Sequence, residues 1–233
     1  MQSEDRAIHF GVELIHTPLR HKKDALQKLY YELSQTRHAA YDSTDFTNPA
    51  QTRFYSKSGQ RAQSLCLFLP DRALILEEWA EIPLSAFLDR VEAIGSRVLA
   101  LEGVKHFIAH TATIRSTFAL SHVPDGRAFI LEHMCGQEGR IGQYFQRPIA
   151  MAGLRFHFPE ADEYPGNFQI AIEPFRQSRN EIYVEAKGIF TRQHVLPGGM
   201  DIVTDHCRGV RSFITDRIFP YMNQFDVPRA PLE

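Results

Sequence analysis

VKHFIAHTATIRSTFAL, residues 104–120, stands at the middle of the chain, and how it folds decides the architecture. Alternate side chains of a strand point to opposite faces. On that reading His106, Ile108, His110, Ala112, Ile114, Ser116 and Phe118 share one face. Lys105, Phe107, Ala109, Thr111, Thr113, Arg115 and Thr117 share the other. The stretch is rich in Val, Ile and Thr, whose branched side chains fit a pleated surface. Gly103 ends the element on its N-terminal side. Pro124-Asp125-Gly126 forms a turn on its C-terminal side, because proline presets φ and glycine accepts a positive φ.

Toward the N-terminus, AIHFGVELIH (7–16) alternates Ile8, Phe10, Val12 and Leu14 with His9, Gly11 and Glu13. That is the pattern of a sheet with one buried face. Thr17-Pro18 is expected to open a helix whose apolar stripe is Leu26, Leu29, Tyr30 and Leu33. The polar segment 39–51, with Asn48-Pro49 inside it, reads as a loop. Short strands over 52–56, 63–69 and 73–79 are separated by Ser58-Gly59 and Pro70-Asp71, which makes an antiparallel meander. Pro83 and Ser85 open a second helix with Phe87, Leu88, Val91, Ile94, Val98 and Leu101 as its stripe and Gly103 as its C-cap.

Toward the C-terminus, 127–135 fits a strand by alternation and a helix almost as well, and 141–145 fits one helical turn. Strands are expected over 149–158, around 168–172 and over 182–190. Pro197-Gly198-Gly199 is a loop, Asp201 the cap of a last helix over 202–219, and Pro220 its end. The order therefore reads β-α-β-β-β-α over 1–103. It reads much the same over 104–226, with a tail at 227–233 and no residue-level repeat between the halves. The expected fold class is α+β: a mostly antiparallel curved sheet, shared by both halves, with long helices packed on one face.

The formal net charge of −2 over 233 residues gives no long-range attraction for a phosphate backbone. Cys66, Cys135 and Cys207 form no CxxC pair and read as small buried thiols of a reducing compartment. No apolar run reaches the length of a membrane span, so a soluble cytoplasmic protein without membrane contact is expected.

With helices on one face, the other sheet face is open and carries Arg155, His157, Gln169, Glu173, Glu185 and Lys187. Such a mixed face points to a binding or interaction protein that self-associates or docks a protein partner, with Arg155, His157 and Gln169 as candidate binding residues and no cofactor. The alternative is a metal-dependent nuclease or phosphodiesterase. Glu173 followed by Glu185-Ala186-Lys187 on the next strand resembles a pattern in which carboxylates hold Mg²⁺ and a lysine steadies water or phosphate. Those three are then the catalytic candidates. Nucleic-acid binding without cleavage, through Arg155, Arg176 and Arg179, is less favoured by the near-neutral charge.

His106 and His110 lie roughly 13 Å apart along a strand, too far to share a metal. Asp201 and Asp205 suit the positive end of a helix dipole, with His206 beside the apolar stripe. Glu132-His133 near Cys135 makes a nucleophile pair only if the groups meet in space. The absence of GxSxG, P-loop, GxGxxG-to-helix and HExxH patterns argues against the common hydrolase, nucleotide-binding and zinc-protease classes.

Phe10 and Glu13 in the opening strand, the Trp79…Pro83…Phe87 link, and His206 and Phe213 in DHCRGVRSFITDRIF form a pattern spread over most of the chain. In these features the chain resembles a sporadically distributed family of uncharacterised bacterial proteins of similar length. The resemblance implies the α+β fold and no known activity.

Overall fold

In the computed structural model, which describes residues 5–36, 41–48, 50–137 and 140–228, strands β1 (Asp5–Ile15) and β6 (Ala109–Ala119) pair antiparallel at the centre of one sheet. The first flank is a meander of β2 (Ser43–Asn48), β3 (Gln51–Ser58), β4 (Ala62–Leu69) and β5 (Arg72–Glu78), with β5 against β1. The second is β7 (Leu154–Phe158), β8 (Asn167–Pro174) and β9 (Glu181–Phe190), with β9 against β6. The nine strands run in the order β2-β3-β4-β5-β1-β6-β9-β8-β7, every neighbour antiparallel, and the sheet does not close. The connection order is mirrored about β1 and β6, but one flank carries one strand more.

Helices α1 (Lys23–Ser34), α2 (Leu84–Leu99) and α5, which begins at Met200–Phe213, lie on one side of the sheet. The fold is thus α+β with helices on one face, as the alternation requires. Phe87, Val91, Ile94 and Val98 of α2 are fully buried, and the Phe87 ring lies 5.4 Å from that of Phe10 on β1. Val203, Cys207, Val210 and Ile214 carry the core across to β6 and β9. Burying one such large side chain contributes about 1.5–3 kcal/mol. Gly188 on β9 permits the close approach of α5, because a Cβ there would meet Val210 Cγ2 at 2.7 Å.

Several boundaries differ from the sequence expectation. β6 starts at Ala109, not 104, because Phe107 pairs with Val195 in an isolated bridge and draws the chain out of the sheet. From His110 on, the expected face holds: His110, Ala112, Ile114, Ser116 and Phe118 are all buried. α1 starts at Lys23, not at Thr17-Pro18, since His16 and Leu19 donate backbone N–H to Asp71 and Pro70 and are held extended. The segment read as a loop over 39–51 contains β2, an edge strand too polar to show alternation; its residues 39–40 and Pro49 lie outside the described residues. The ambiguous 127–135 is helical: α3 runs from Gly126–Ala128 into a π-helical stretch, Phe129–Met134, with Asp125 accepting from the N–H of Arg127 and Ala128. α4 (Arg140–Phe145) comes next, and β7 begins only at Leu154.

Asp201 is not the cap of α5; Gly199 precedes the helix and Asp201 sits in its first turn. Nor does Pro220 end it. A π-helical stretch, Ile214–Ile218, shifts the ladder so that Phe219 donates to Ile214, and the helix continues over Phe219–Asn223 with Pro220 in its first turn. Pro220, which has no N–H to give, falls directly after the π-helical stretch, where the ladder spacing changes. The expected tail is described as far as residue 228 and lies outside the described residues beyond it.

The sheet curls toward its uncovered side. Arg61, before β4, donates to Gln177, after β8, at 2.7 Å, and the rings of Trp79 and Phe175 lie 6.4 Å apart. In a flat sheet β5 and β8 would stand about 19 Å apart, four strand spacings. A face concave on the open side brings these strand-end groups together. Among the described residues no helix is long and apolar enough to cross a membrane.

Candidate functional site: a trough on the uncovered sheet face

The alternate residues facing away from the helices line this concave face, and the two flanks differ in chemistry. On the first, Leu65 pairs directly with Leu76 and Leu67 with Leu74. These four half-buried leucines form an apolar wall, extended by Tyr55 opposite Leu65. Gly11, next to Leu76 on β1, leaves the floor clear; a Cβ there would meet His9 Nε2 at 2.8 Å and Leu76 Cδ2 at 3.1 Å.

The other flank is charged and self-neutralised. One row crosses four strands as Glu78, His9, Arg115 and Glu185. His9 Nδ1 lies 3.1 Å from Glu78 Oε1, and Arg115 Nε donates to Glu185 Oε2 at 2.7 Å. Tyr183 Oη donates to the same oxygen at 2.9 Å. Burial alone would raise the Glu185 carboxyl, but hydrogen bonds from Arg115 and Tyr183 outweigh it and hold it below its usual range. The close approach of His9 likewise lowers Glu78. In a second row, Glu13 accepts from Arg72 Nη1 at 3.0 Å and Thr111 Oγ1 at 3.1 Å, with Lys187 Nζ at 4.0 Å. Arg155 on β7 pairs with Glu173 on β8.

The six residues singled out from the sequence therefore share one face. Arg155, Glu173, Tyr183 and Glu185 line a shallow hollow of about 320 Å³ beneath Phe175 and Arg176. Arg155, His157, Gln169 and Glu185 line a second, of about 370 Å³. Glu173, Glu185 and Lys187 each already hold an opposite charge: Arg155, Arg115 and Glu13. Among the described residues, no three His, Cys, Asp or Glu side chains gather to hold a metal ion. Arg179 is engaged elsewhere, with Asp125 at 3.0 Å.

The remaining candidates are in the core or at its margin. His110 points to the helices and shares a 2.8 Å hydrogen bond, Nε2 to Nδ1, with His206 on α5, the two rings stacked with Phe190. His106 lies outside β6 and stacks on His194. His133 Nδ1 contacts the Phe225 carbonyl at 3.2 Å. Asp205 pairs with Arg208. Burial pushes the Cys207 thiol up to about 12 and raises Cys66 further.

The leucine wall, Tyr183 and the Glu13–Arg72 and His9–Glu78 pairs do not stand out in the sequence. The alternation of 62–69 and 72–78 does place the four leucines on one face. Only the register shows that they meet.

No protein-family model matches the chain, and a search of the curated proteins finds no match.

Proposed function

We propose that the protein is a non-enzymatic docking module whose trough receives an amphipathic helix of a protein partner. The observation that supports this most is the pairing of a leucine wall with a wall of balanced charges across one concave face. Two concave faces cannot mate without leaving a void between them, which disfavours self-association through this surface. A helix about 10–12 Å across is convex and suits a trough. Its apolar stripe would bury the leucines, and its charged face, carrying both signs, would lie against the Arg155–Glu173 and Lys187–Glu13 pairs without displacing either partner. A polyanion gains little from a face whose cations are already neutralised. The phosphodiesterase reading is weakened for the same reason, since each carboxylate and the lysine would first have to give up its partner.

The test is a titration with a synthetic amphipathic helix that bears a leucine stripe and equal numbers of Glu and Lys, alongside a control with the stripe changed to serine. The expected result is saturable binding of the leucine peptide alone, lost in Leu74→Glu while the circular dichroism spectrum is unchanged. Binding of both peptides, or binding that survives Leu74→Glu, contradicts the proposal.

A further inference from the structure

A cleft of about 550 Å³ lies away from the trough, on the helix side of the sheet where β4 ends. Its walls are mainly apolar: Leu19, Leu26, Phe68, Leu69 and Pro70. That volume lies within the range for small-molecule sites, and the predominance of apolar lining is what such sites show. A second hollow of about 310 Å³ adjoins it, sharing Arg20, His21 and Thr52, and it adds Lys22 and Lys23. Residues 20–23, RHKK, thus put three cations and a histidine at the mouth of an apolar cleft.

The cations are not equally committed. Lys22 pairs with Glu102 at 2.5 Å and Lys23 stands 5.8 Å from the centre of the Phe46 ring. His21 Nε2 contacts the Leu69 carbonyl at 3.1 Å, and burial, with His16 adding to it, lowers its imidazole, so its role is polar rather than cationic near neutral pH. Arg20 is exposed and makes no ion pair among the described residues. Among the described residues the lining itself carries no carboxylate; Glu102 on Lys22 and Asp45 on Thr47 stand just outside it.

We infer that this cleft binds a free amphipathic carboxylate, its apolar body against Leu19, Leu69 and Pro70 and its head at Arg20. The charge at the mouth selects the anionic head, and the apolar wall selects a body longer than a simple acid.

Calorimetric titration with decanoate, kept below its micelle-forming concentration, tests this, with decanol and acetate as controls for body and head. Decanoate is expected to bind one site per chain, and each control at least about tenfold more weakly. Arg20→Glu, a surface change that leaves the melting temperature unaltered, should weaken decanoate about tenfold. Thr52→Trp, which fills the cleft, should abolish binding. No binding, equal binding of decanol, or unchanged affinity in Arg20→Glu overturns the inference. So does co-sedimentation with phosphatidylglycerol vesicles in the absence of decanoate binding, because the cations would then serve a lipid surface.

Discussion

Arg115 on β6 and Glu185 on β9 stand directly opposite each other and are joined by a 2.7 Å hydrogen bond at the floor of the trough. Both side chains remain partly exposed, at 35% and 25%, so solvent screens the pair. A double-mutant cycle with Arg115→Ala and Glu185→Gln should give a coupling of about 1 kcal/mol in chemical unfolding. Glu185 is held below its usual range, so its contribution is complete above the unfolded carboxyl's pKa and is lost as pH falls through the lowered folded value. A coupling that persists with the carboxyl protonated would contradict this.

The His110–His206 pair predicts a separate acid sensitivity. Burial and the neighbouring His206 push the His110 imidazole from 6.5 down to about 3, and burial lowers His206 against the opposing charge of Asp205. His110 stays neutral in the fold while the unfolded chain takes up protons, and His206 takes up its proton less readily than in the unfolded chain. Stability is therefore intact above pH 6.5 and declines as pH falls toward 3. The slope is at most about 1.4 kcal/mol per pH unit for each ring. Urea unfolding across that range should show a flatter decline in His110→Phe/His206→Leu than in the wild type, and an unchanged slope would count against the assignment.

The contrast between these two pairs shows what alternation along a strand can reveal. It places Glu173, Glu185, Lys187 and Arg155 on one face, and it places His110 on the other face of β6. It cannot reveal which charges neutralise one another. Arg115 meets Glu185 across 70 positions of sequence, and Glu13 meets Arg72 across 59. Those contacts depend on strand order, which local pattern does not carry. β2 is hidden because an edge strand needs no buried face, and the passage of α5 through Pro220 is hidden because a π turn has no signature in apolar spacing. The start of α1 is displaced from Thr17-Pro18 for a similar reason: the bonds from His16 and Leu19 to the β4–β5 turn outweigh the local preference of Thr-Pro.

Asp226 is the clearest stabilising residue that local pattern does not indicate. It is buried, and its carboxylate accepts from the N–H groups of Ser121, His122 and Val123 at 2.6, 2.9 and 3.0 Å, tying the chain after α5 to the end of β6. Asp226→Ala leaves three donors without this acceptor. The expected loss is about 2–4 kcal/mol, read by denaturant titration. A loss below about 1 kcal/mol would mean water replaces the carboxylate.

Gly188→Val tests the closeness of α5 to the sheet. The added side chain would meet Val210 at 2.7 Å and the Phe190 ring at 2.8 Å, so overpacking should cost about 1–3 kcal/mol and lower the melting temperature. Gly209 on the same helix has nothing within 4 Å of an added Cβ, and Gly209→Ala should be neutral or stabilising.

The central claim is that the uncovered side of the sheet is where the partner sits. A photo-crosslinking residue placed at Leu76, in the leucine wall, addresses it most directly, with the same residue at exposed Tyr31 on α1 as the control. Irradiation in cells should yield an adduct at position 76 and none at 31. Mass spectrometry should locate the adduct on a helical segment of another protein, and Leu74→Glu should abolish it. Adducts at 31 alone, adducts to a second copy of this chain or to nucleic acid, or no adduct at 76 would contradict the account.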